Sequence, residues 1–86
     1  MNKEWDGKHR VVIFDIPEKV RHHRGWLRSE LYFLEYKQLQ LSVFVSKFPL
    51  NAAIIKEVKK RGIDKGVNYL LVDKIYDINK MKDLLY

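Results

Sequence analysis

The stretch Arg10-Val11-Val12-Ile13-Phe14-Asp15-Ile16-Pro17-Glu18 decides how this chain is read. A continuous apolar run rich in β-branched residues predicts a strand over 10–16, covered on both faces or nearly so. Pro17 then suits a first helical turn, and Glu18 carries the sign that a helix N-terminus favours. The strand thus delivers a carboxylate, Asp15, to a sheet end just before a helix. A buried acid is costly unless it is paired, metal-bound or wet at the rim. Asp15 is therefore either a functional group or an acceptor for backbone N–H groups at the helix start.

Outward from that stretch, residues 1–9 read as a lead-in with Trp5 as an anchor, and 10–86 as one domain. The helix is expected over about 18–35, with Val20, Leu27, Leu31 and Leu34 on one side and Trp26 and Phe33 at its margins. No glycine closes it, so Glu35-Tyr36-Lys37 must. Residues 37–48 alternate, with Leu39, Leu41, Val43 and Val45 on one parity, and predict one long strand or two with a kink near Leu41-Ser42. A second helix fits 51–61, capped by Asn51 and ended by Gly62, with Ala53, Ile54 and Val58 toward the core. Val67–Val72 reads as the last core strand, and 77–86 as a short tail element with Asp77 as cap. With the middle segment as a hairpin, the order is βαββαβ. That is the α+β ferredoxin-like arrangement: an antiparallel sheet, both helices on one face, plus a short C-terminal element.

The totals narrow the function. A chain of 86 residues buries only about 60% of the surface its unfolded form exposes. Yet 47% of its residues are hydrophobic and 13% aromatic. That surplus predicts apolar surface buried against a second copy or another protein. Absence of cysteine excludes disulfides and thiolate metal sites and fits a reducing cytoplasm. No apolar run approaches the ~18 residues of a membrane span, and the polar N-terminus carries no signal-peptide core. The net charge of +6 concentrates in 37–66, where seven Lys/Arg face two Asp/Glu. A basic middle favours a polyanion through counterion release, although a surface tuned for solubility asks for similar charge.

Chemistry-bearing residues are few. The serines lack a Gly-x-Ser-x-Gly elbow, and His9, His22 and His23 have no partner at a defined spacing. Adjacent His22 and His23 diverge on a helix and read as solvated side chains. Arg21, Arg24 and Arg28 line up as a stripe that either tracks phosphates or forms a solvated face paired with Glu18 and Glu30. Lys56, Lys59, Lys60 and Arg61 form the stronger polyanion candidate. One carboxylate holds Mg²⁺ weakly. If the strand-one edges of two copies met, however, paired Asp15 side chains would share a divalent ion able to polarise a phosphodiester.

The run Val11-Val12-Ile13-Phe14-Asp15-Ile16, the basic helix after it, and Leu39-Gln40-Leu41-Ser42-Val43-Phe44 together resemble the CRISPR-associated protein Cas-two over roughly 10–72. That resemblance implies a cytoplasmic ferredoxin-like homodimer that binds double-stranded DNA and bridges the Cas-one integrase during spacer acquisition. Several members act as metal-dependent nucleases. By resemblance, Asp15 is the catalytic and Mg²⁺-binding acid of an endonuclease acting on RNA or DNA, Arg21 a helix arginine of the family, and Gln40, Ser42 and Phe44 its Gln-x-Ser-Val-Phe element. Gln38 stands where the family has arginine, and Val45 where it often has glutamate. The opening Trp5-Asp6-Gly7-Lys8-His9-Arg10, with Asp15-Ile16-Pro17-Glu18 and Val45-Ser46, also resembles the middle domain of PaaX-type transcriptional repressors, which has the same fold. Those repressors carry an N-terminal winged helix and this chain starts at Met1. The resemblance thus implies a Cas-two protein of the PaaX-like subtype, or a dimerisation/effector domain excised from a repressor.

Overall fold

The computed structural model describes residues 4–78. Four strands and two helices follow in order: β1 (His9–Phe14), α1 (His22–Phe33), β2 (Lys37–Gln40), β3 (Val43–Ser46), α2 (Ala52–Lys60) and β4 (Val67–Val72). The sheet order is β2-β3-β1-β4 and every pairing is antiparallel. This is the expected βαββαβ α+β fold, with the middle segment a hairpin.

Among the described residues, helices cover one sheet face only. Val12 and Phe14 of β1, with Phe44 of β3, meet Leu27 and Leu31 of α1 and Ile54 and Val58 of α2 in a single core. Phe14 stacks on Phe44 with ring centroids 6.1 Å apart. The strong alternation in 37–48 does not run unbroken. A bulge between Gln38 and Gln40 and a turn at Leu41-Ser42 intervene, so Phe44 faces the helices while Val43 and Val45 face away.

The first helix is shorter than expected. Pro17 is extended (φ −55°, ψ 146°) and precedes a 3-10 turn, Glu18–Val20, before α1 begins at His22. Strand β1 likewise stops at Phe14, where the partner strands begin (Val43 and Val67). Leu27 and Leu31 are buried, Val20, Trp26 and Leu34 pack partly against them, and Phe33 is 82% exposed. In α2, Ile54 and Val58 are buried but Ala53 is exposed, because the helix turns that side to solvent.

Both helices end in the same closure. In α2, Gly62 adopts φ +72° and the N–H groups of Gly62 and Ile63 donate to the carbonyls of Lys59 and Val58 (3.0 and 3.3 Å). In α1, Glu35 takes the left-handed position at φ +64°, and Glu35 and Tyr36 donate to Tyr32 and Leu31 (3.0 and 2.8 Å). Each is a Schellman motif with its hydrophobic contact, Val58–Ile63 and Leu31–Tyr36, all four buried. Asn51 caps α2 by accepting the Ile54 N–H at 2.9 Å.

The lead-in is built onto the sheet end. Trp5 Nε1 donates to the Lys8 carbonyl at 2.6 Å, and Lys47 Nζ sits 4.8 Å above its ring. Asp6 receives both arms of buried Arg10 at 2.8 and 2.7 Å, with Gly7 at φ +83° making the turn. Arg10 also donates to the carbonyls of Lys8 and Lys47, and Lys8 pairs with Asp73 beyond β4. The tail element expected over 77–86 lies, from residue 79 onward, outside the described residues.

Candidate functional site

Asp15 lies one residue past β1 and is exposed. Its backbone N–H donates to the Gly66 carbonyl at 2.7 Å, which ties the end of β1 to the turn before β4. The expectation that its side chain caps the helix is not met: neither Pro17 nor Arg21, the cap positions of the turn and of α1, marks a side-chain cap, and no hydrogen bond to the Asp15 carboxylate occurs among the described residues. Pro17 moves the helix start too far along the chain. The carboxylate instead borders a shallow cleft of about 280 Å³ with Glu18, Arg24 and Ser42.

The residues of one chain do not fit a bound Mg²⁺. No group of three His, Cys, Asp or Glu that could hold a metal occurs among the described residues. Glu18, which shares the cleft, already holds Arg21 and Arg24. Nor can strand-one edges bring two Asp15 together, because β1 is interior and the sheet edges are β2 and β4.

The arginine stripe divides. Arg21, its side chain 74% exposed, points outward beside Glu18. Arg24 donates to the Ile16 carbonyl at 3.1 Å, and Arg28 to the Leu41 carbonyl at 2.9 Å while lying 5.5 Å from the Phe14 ring centroid. These two satisfy carbonyls at the β1 exit and the hairpin turn, the second shared with the Gln38 amide at 3.3 Å. Arg28 also reaches the Ser42 hydroxyl at 3.5 Å. Ser42 is thus a turn residue and Phe44 a core residue, while Gln40 sits exposed on edge strand β2.

On α2, Lys56, Lys59 and Lys60 are all exposed, and Lys65 joins them on the turn that follows. Burial of Ile54 and Val58 forces this placement. Arg61 does not join the row: it donates to Glu57 at 3.0 Å and lies 4.0 Å over the ring of Trp26.

One surface was legible only as a surplus. The sheet face away from the helices presents Val11, Ile13, Val43, Val45, Leu70 and Val72 on three adjacent strands. Ile13 is 37% and Leu70 41% exposed. The signal lay in β1, whose unbroken apolar run asks for cover on both faces while the helices supply it on one.

No helix among the described residues is long and apolar enough to cross a membrane. A family model described as the PaaX protein central Cas2-like domain matches residues 2–83. No curated protein and no solved structure matches the chain.

Proposed function

The chain belongs to the PaaX central Cas2-like domain family, and on that premise we propose that it is a pairing domain: two copies join through their open sheet faces and turn the lysines of α2 toward nucleic-acid phosphates. The apolar face that no helix covers among the described residues, with Ile13 and Leu70 exposed and Val11 buried between them, carries this reading. Three strands of four to six residues, at ~4.8 Å spacing and ~3.3 Å per residue, make an apolar face of roughly 250 Å², close to the size of the functional patches on monomers. The family match supports the dimerisation/effector domain of a PaaX-type repressor as its setting.

A second setting, the double-stranded DNA scaffold that works with the Cas-one integrase in spacer acquisition, is favoured by the lysine row. Because the helices lie opposite the open face, pairing leaves Lys56, Lys59, Lys60 and Lys65 of both copies on outward surfaces. Binding there is electrostatic and reads little sequence.

Light scattering across a concentration series tests the pairing. Wild type is expected at twice 10.4 kDa, and Leu70→Asp at the single-chain mass with unchanged circular dichroism. A single-chain mass for wild type at every concentration, or a Leu70→Asp variant that still pairs, overturns the reading. For the lysines, Lys56→Ala/Lys59→Ala/Lys60→Ala is expected to lower the salt slope of duplex binding by about 2.7, at ~0.9 per phosphate contact.

A further inference from the structure

Arg61, where α2 ends, reaches across to α1 with Nε, Nη1 and one face of its guanidinium engaged. Nε donates to Glu57 at 3.0 Å, the plane lies 4.0 Å over the Trp26 ring, and Nη1 stands 3.2 Å from His23 Nδ1. The histidines expected as solvated side chains are thus not equivalent. His22 is exposed, whereas His23 is partly buried between the helices.

Arginine only donates, so Nδ1 of His23 must be the acceptor, with the ring neutral and its proton on Nε2. Protonation would convert the acceptor into a donor and set two cations against each other at hydrogen-bond distance. We propose that His23 and Arg61 form a proton-sensitive clasp that holds α2 against α1 at neutral pH and loosens on acidification. The charged and titratable groups facing His23 are His22 on its own helix and Arg61, with its partner Glu57, on α2. Burial first, then His22 and Arg61, hold the imidazole below its ordinary value of 6.5. A depressed folded-state value means that the clasp is intact above 6.5 and is lost as pH falls through the lower folded value. Its bearing on the lysine row rests on the nucleic-acid reading above; the clasp itself does not.

The test needs no nucleic acid. Ring NMR of His23 and amide exchange of Gly62 and Ile63 are followed in a Trp5→Phe chain, which leaves Trp26 as the sole indole. Between about pH 7.5 and about pH 5, exchange protection at Gly62 and Ile63, corrected for intrinsic rate, is expected to fall about fivefold, the worth of one neutral hydrogen bond. Trp26 emission should change over the same range. His23→Gln offers a non-titrating acceptor and should keep protection at both pH values, whereas His22→Gln should retain the wild-type response. An imidazole that titrates at or above 6.5 overturns the proposal, as does wild-type protection that survives acid, or a His23→Gln chain that loses protection as wild type does. The ring titration of wild type decides the matter even if a variant fails to fold.

Discussion

Adding one methyl group at Gly66 probes the joint that holds Asp15. A Cβ there would stand 2.3 Å from the Asp15 carbonyl oxygen and 3.3 Å from its carbonyl carbon. Relief to ordinary contact needs a shift of about 1 Å, and the obstacle is backbone rather than a side chain that could swing aside. That backbone is fixed from both sides, by the Asp15 N–H to Gly66 carbonyl bond at 2.7 Å and by the ladder between β1 and β4. Forced over-packing costs about 1–3 kcal/mol, and a weakened hydrogen bond about 1 kcal/mol more. The stiffer unfolded chain returns about 0.4–1 kcal/mol. A net loss of about 2 kcal/mol is expected for Gly66→Ala, which lowers Tm by about 8–16 °C for a domain of this size. Gly25 is the matched control: it lies inside α1 and a Cβ there meets nothing within 4 Å. Gly25→Ala should gain about 0.5–1 kcal/mol. Urea unfolding followed by circular dichroism, at one protein concentration, reads both. A Gly66→Ala chain within about 0.5 kcal/mol of wild type would refute the steric argument.

Glu35→Gly should stabilise the chain, because a non-glycine residue at left-handed φ costs about 1–2 kcal/mol and glycine's freer unfolded chain takes back about half. A Tm rise of about 2–8 °C is expected, and a fall would mean that the Glu35 side chain does more than occupy the turn. Asp6 is held down to about 2 by its hydrogen bonds from the Arg10 guanidinium, then from the Lys8 N–H. Its folded value lies below the ordinary 3.8, so its contribution is present above 3.8 and lost as pH falls toward 2. Urea midpoints measured against pH should therefore drop across that window in wild type and vary less in Asp6→Asn, which starts lower at neutral pH.

The parts of the fold that were legible in the sequence are those with short-range causes. Asn51 and Gly62 bracket α2 because each acts on backbone groups within one turn of itself, and Val67–Val72 stands as a strand between Gly66 and Asp73. The closure of α1 was legible only as a gap, since nothing local marks Glu35 for left-handed φ; the buried Leu31–Tyr36 contact imposes it. Parity put Phe44 opposite Val43 and Val45 but could not say which side meets the helices; Phe44 does, and the bulge at Gln38/Gln40 and the turn break the alternation before it. Site residues fared by the same rule. Lys56, Lys59 and Lys60 follow from helical periodicity, whereas the capture of Arg24, Arg28 and Arg61 depends on carbonyls and rings brought close by tertiary folding.

The clip formed by Trp5, Asp6 and Arg10 sets a mechanical boundary condition. The chain from Trp5 onward is thereby tied to the sheet, through Arg10 and the Lys47 carbonyl, before its first strand begins. A spin label or fluorophore placed at residue 4 would report the tumbling of the entire body.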